Sequence, residues 1–103
     1  MSLEGVRVLP WDRADEPTEW AIFSALRAEG LSPIPWSNGP GDHYGEHSHP
    51  YHKVLYCVRG GITFVVEGRQ VPMKPGDRLE LPPGTRHSAV VGPDGTACVE
   101  GHR

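Results

Sequence analysis

Turn residues recur so closely in the last two-thirds of this chain that only short strands fit between them. Gly60-Gly61, Glu67-Gly68, Pro75-Gly76-Asp77, Pro82-Pro83-Gly84 and Pro93-Asp94-Gly95 separate apolar runs of a few residues. Glycine reaches positive φ at no steric cost, and proline withdraws a ladder donor, so such clusters end strands. Strands are predicted near residues 43–49, 53–59, 62–67, 70–73, 78–81, 86–91 and 96–100. Gly60-Gly61, Glu67-Gly68 and Pro93-Asp94-Gly95 read as tight turns between them. Many strands with close turns make an all-β sandwich or barrel. Val54-Leu55-Tyr56-Cys57-Val58 is apolar on both faces, so it is expected as a central strand covered on both sides.

The first third has a different pattern. Val6-Arg7-Val8-Leu9 is a short strand candidate. Asp15-Glu16-Pro17 reads as a helix start, and Gly30 as its end, which predicts a helix from about Pro17 to Glu29. Trp20, Phe23 and Leu26, with Ile22 and Ala25 alongside, form an apolar stripe expected to pack on the sheet or cover its edge. Leu31 to Trp36 is interrupted by Pro33 and Pro35, so it reads as an edge strand or extended arm. Residues 1–36 are thus an N-terminal strand, helix and arm packing on a barrel of residues 37–103, one domain together.

Charge and hydropathy exclude several functions. The formal charge of −3 offers no basic field for nucleic acid. No apolar run approaches the ~20 residues that cross a bilayer. Met1-Ser2-Leu3-Glu4-Gly5 has no basic segment followed by an apolar one. The chain reads as soluble and cytoplasmic, without nucleic-acid or membrane partners. Cys57 and Cys98 form no disulfide framework and read as small apolar residues on strands.

The chemistry is concentrated in histidines. On a strand, side chains at i and i+2 share a face, so His47 and His49 would aim two imidazoles into one space. His87, just after Pro82-Pro83-Gly84, begins another strand and could bring a third. Three such nitrogens could close a metal site with bonds of about 2.0–2.1 Å. They suit divalent Fe, Mn, Ni, Zn or Cu. The alternative for the same residues is a water-filled, hydrogen-bonded cavity without metal. His52 joins as a fourth ligand if a bulge after Pro50 turns it inward. His43 is expected in an exposed loop and His102 in a frayed tail. Tyr44, Tyr51 and Tyr56 read as core or rim residues.

Taken together, Gly41, His47, His49 and Gly60, then Gly76, Pro82, Gly84 and His87, resemble the two motifs of a small single-domain cupin of the RmlC-like superfamily. The resemblance covers residues 41–91. It implies a double-stranded β-helix, or jelly-roll barrel, here with one N-terminal helix. It also implies a divalent transition metal at His47, His49 and His87, with oxygenase- or isomerase-like chemistry on a small polar molecule.

The chain departs from the family at two places: Lys53 stands where a glutamate usually supplies an anionic ligand, and Val91 where the second motif ends in Asn. An ammonium cannot sit beside a divalent ion without cost. Lys53 must turn away, lose its proton, or pair with an acid such as Glu46, Glu80 or Asp77. This departure sustains the alternative function, a metal-free, non-enzymatic cupin that holds a small anionic ligand with Lys53. A purely structural dimer module would require a barrel filled by side chains. A small barrel with Trp11, Trp20 and Trp36 in its N-terminal part is expected to form a homodimer.

Overall fold

The computed structural model describes residues 5–103. Residues 1–4, and with them most of the segment read as lacking a leader, lie outside the described residues. The elements run β1 (Arg7–Leu9), α1 (Glu19–Ala28), β2 (Ile34–Asn38), β3 (His43–His47), β4 (Lys53–Val66), β5 (Arg69–Met73), β6 (Arg78–Leu81) and β7 (His87–His102). All strand pairs are antiparallel. The order is β1-β6-β4-β7-β2, with β3 added to β7 and β5 to β4. The all-β jelly-roll expectation with one N-terminal helix is met.

Two long strands organise this barrel, and here the structure corrects the sequence reading. The strands expected at 53–59 and 62–67 are one strand, β4. Those expected at 86–91 and 96–100 are likewise one strand, β7. β4 and β7 pair from Lys53↔His102 to Val66↔His87, with register shifts at Cys57/Arg59 and Gly60/Ile62. Gly60-Gly61 and Pro93-Asp94-Gly95 therefore bend paired strands instead of reversing them. Gly60 has φ 74°, and a Cβ there would lie 2.1 Å from the Gly95 carbonyl oxygen. The glycine pair thus lets both strands fold over at one level. Glu67-Gly68 does reverse the chain. Both residues have positive φ, 49° and 84°, as a two-residue hairpin between Val66 and Arg69 requires.

Strand alternation divides the core into two layers. Leu55, Cys57, Ile62, Phe64 and Cys98 pack inside the barrel, while Val54, Tyr56 and Val99 face outward onto Ile22, Leu26 and Leu31. Of the stretch expected to be doubly covered, Val54 to Cys57 are buried throughout and Val58 is part-buried. Each large apolar side chain so buried contributes about 1.5–3 kcal/mol.

The helix begins later than expected. Thr18, not Asp15, caps it, its hydroxyl accepting from Ala21 N at 3.1 Å. The buried stripe is Ala21, Ile22, Ala25 and Leu26, whereas Trp20 is 73% exposed. Ala21 and Ala25, and Ile22 and Leu26, are pairs four apart that share the face on the sheet, and Trp20 falls beside that row. Of the other tryptophans, Trp11 packs against Tyr56, and Trp36 turns towards the barrel interior. No helix among the described residues is long and apolar enough to cross a membrane.

Candidate metal centre

The three predicted imidazoles converge. β3 pairs with β7 so that His47 stands directly opposite His87. Their ring centroids are 4.3 Å apart, with His49 4.7 Å from His47 and 5.2 Å from His87. One nitrogen from each lies within 4.8 Å of the others. The reason differs from the i, i+2 argument, because β3 ends at His47 and His49 sits in the loop beyond. That loop is tied down where Gly84 N donates to the His49 carbonyl at 2.8 Å. The turn before His87 therefore also positions His49.

Backbone carbonyls set the tautomers. His47 Nδ1 donates to Gly45 O at 2.7 Å and His87 Nδ1 to Thr85 O at 2.9 Å. A carbonyl only accepts, so Nδ1 carries a proton in both rings, and a neutral ring then has its lone pair on Nε2. Nε2 of His49 and of His87 is buried without a hydrogen-bond partner. Each orphaned nitrogen costs about 1–3 kcal/mol unless something completes it. Burial pushes the His49 imidazole down to about 4, and Lys53, His47 and His87 add to that effect. Burial also lowers His87, against the opposing bond to Thr85. Both rings are neutral near pH 7, with lone pairs available. Three converging imidazoles, with the Nε2 atoms of His49 and His87 otherwise unpaired, fit a divalent transition metal.

His52 does not join them. Its Nε2 lies 3.2 Å from Glu80 Oε1, and its ring does not line the imidazole cavity. His43 is exposed as expected, but on β3 opposite Val90. His102 is no frayed residue. It ends β7 opposite Lys53, its Nε2 donates to Glu100 Oε2 at 2.5 Å, and its ring stacks on Tyr51 at 3.8 Å. Tyr51 stacks in turn on His49, 4.9 Å away and 15° from parallel. Tyr44 lines the cavity and bonds Asn38, while Tyr56 lies outside, under Arg78.

Lys53 points into the cavity and pairs with an acid that sequence reasoning did not name. Its Nζ is 3.6 Å from Glu100 Oε1. The three acids expected as partners are engaged elsewhere: Glu46 with Arg86, Glu80 with Arg78, and Asp77 with Lys74. Glu100 Oε1 also accepts from Trp36 Nε1 at 2.8 Å. Burial opposes ionisation of Glu100, yet His102, Lys53 and Trp36 together hold its carboxyl below the usual range. The signal for Glu100 was its parity, since residues 98 and 100 of one strand share a face.

The imidazoles, Lys53 and Glu100 share a cavity of about 250 Å³, walled on its apolar side by Trp36, Phe64 and Ala89. The class of protein so defined is a small antiparallel β-barrel with polar groups gathered around an interior cavity. The chain belongs to the cupin family, whose cupin domain matches residues 37–99. It is 32% identical over 87 residues to quercetin 2,3-dioxygenase of Bacillus subtilis, which is 82% of this chain and 25% of that protein. The chain thus spans a quarter of the length of that relative. Among solved structures, a DMSP lyase from Ruegeria pomeroyi superposes with a TM-score of 0.66 at 23% identity, covering 71% of this chain and 38% of that one. An RmlC-like cupin from Shewanella frigidimarina gives 0.63 at 21%, covering 95% and 75%. At such identities these two likenesses establish the fold.

Proposed function

We propose that this cupin holds a divalent transition metal through His47, His49 and His87 and acts there on a small polar molecule, with oxygenase- or isomerase-like chemistry. One observation carries the reading: the Nε2 atoms of His49 and His87 are buried and unpartnered, in a cluster where one nitrogen from each of His47, His49 and His87 lies within 4.8 Å of the others. The dioxygenase relative supports the class of chemistry. When bound, the ion would supply Lewis acidity towards an oxygen of the substrate.

The chain's own residues do the rest. The carbonyls of Gly45 and Thr85 keep the Nδ1 protons of His47 and His87 in place, which fixes both rings. Tyr51 backs His49 by stacking and leaves its nitrogen facing the cavity. Phe64 and Ala89 exclude water from one wall. The reading extends to assembly as a two-fold homodimer, supported by exposed Trp20 and Ile34 and tested by light scattering.

The test of the metal reading is a titration of the chelator-treated chain with Mn, Fe, Co, Ni, Cu and Zn. The expected result is saturable binding that His47→Ala/His49→Ala weakens by well over tenfold, with circular dichroism confirming the fold. Equal affinity in the folded double variant would refute the site.

A further inference from the structure

Among the described residues, Lys53 is the only lysine or arginine that lines the imidazole cavity. Its ammonium carries three donors, yet none makes a hydrogen bond to the described residues. Its nearest acid, Glu100 Oε1 at 3.6 Å, lies beyond hydrogen-bond length. Glu100 is differently placed, with Oε1 accepting from Trp36 and Oε2 from His102. The acid is satisfied by its own neighbours, and the cation beside it has donors left for the cavity. The charge balance points the same way. Lysine in place of the family's glutamate moves the site two units towards positive, and Glu100 returns one of them. The flat walls of Trp36 and Phe64 complete a site with one apolar side and one cationic end.

We propose that the cavity takes a small, flat organic oxyanion, a carboxylate or an enolate. Its charged oxygen accepts from Lys53 Nζ, and its body lies on Trp36 and Phe64 beside the three imidazoles. This rests on the cavity being the ligand site and names the ligand's chemistry. Lys53 is then the residue that determines specificity, selecting anions by charge and by hydrogen bond. Glu100, fixed by Trp36 and His102, positions Lys53 without consuming its donors.

The test uses the full chain, stripped of metal by chelation and then dialysed, at pH 7.5. Acetate, benzoate and 2-naphthoate are compared with acetamide, benzamide and 2-naphthamide. The readout is the indole N–H resonance of Trp36, which reports on Glu100 and on the cavity wall. The expected result is that at least one carboxylate binds tenfold or more tightly than its amide. Lys53→Arg should keep that preference. Lys53→Met should lose it, and should Lys53→Met prove unstable, Lys53→Met/Glu100→Gln removes both charges and serves in its place. No carboxylate binding in wild type, no preference over the amide, or a preference that survives in the double variant would each overturn the proposal. Metal titrations of the same samples separate the two readings. Carboxylate selection without metal binding sinks the metal centre alone, and metal binding without carboxylate selection sinks this proposal alone.

Discussion

Lys53 Nζ lies 3.6 Å from Glu100 Oε1, with the two side chains 10% and 11% exposed. They meet diagonally across β4 and β7, because Lys53 stands opposite His102 and Leu55 opposite Glu100. Either charge alone in this barrel would be costly. Together, with Trp36 and His102 on the carboxylate, they explain how a lysine is tolerated where the cupin pattern has glutamate.

Breaking that pair from one side should be expensive. Lys53→Met takes the cation from Glu100 and leaves only Trp36 and His102 on the carboxylate, and is expected to cost about 1–3 kcal/mol in urea denaturation. Lys53→Met/Glu100→Gln should recover most of the loss, since replacing a buried pair as a whole is often near neutral. A single variant as stable as wild type would show that the pair is solvated.

The histidines should separate cleanly in metal titrations. His87→Ala removes a buried imidazole of the cluster and is expected to weaken metal binding by more than tenfold. His52→Ala removes a ring held by Glu80 and should leave affinity within about twofold, because its nitrogen does not face the cavity. A large loss in His52→Ala would place the site elsewhere.

Acid should destabilise the metal-free protein in a defined window. The His49 imidazole drops from 6.5 to about 4 on folding, and His87 is also lowered. Between those values the unfolded chain binds more protons than the folded one, so stability falls as pH falls. The stability linked to neutral His49 is fully present above 6.5 and lost down to about 4. Melting temperatures measured from pH 7 to 4.5 should fall more for wild type than for His49→Gln. Parallel profiles would contradict the buried, neutral ring.

The legible part of this fold was its local chemistry. The Glu67-Gly68 hairpin, the apolar stretch from Val54 to Cys57 and the start of a strand at His87 all depend on residues within a few positions. Long-range pairing was not legible. Gly60-Gly61 has the composition of a turn, and only its pairing with Thr96, against the Gly95 carbonyl, makes it a bend in a continuous strand. The convergence of His47, His49 and His87 was readable from spacing, although His49 reaches the cluster through its loop and the bond from Gly84. Glu100 and His102 were missed for a related reason. Their role depends on facing Lys53 across β4 and β7, a register the sequence does not print.

That bend gives a direct test of the topology. Gly60→Ala combines positive φ with a Cβ 2.1 Å from the Gly95 carbonyl oxygen. The positive φ alone costs about 1–2 kcal/mol, and the backbone contact adds to it. We expect a loss above about 2 kcal/mol in chemical denaturation. A variant within about 0.5 kcal/mol of wild type would mean that the strands do not cross as described.

Elemental analysis tests the central claim most directly. The chain is to be expressed in medium supplemented with transition metals and purified without nickel resin or added chelator. We predict about one divalent transition-metal ion per chain, retained through dialysis in wild type and absent from folded His47→Ala/His49→Ala. Metal at background level in folded wild type, or equal metal in wild type and the double variant, would contradict a metal centre at His47, His49 and His87.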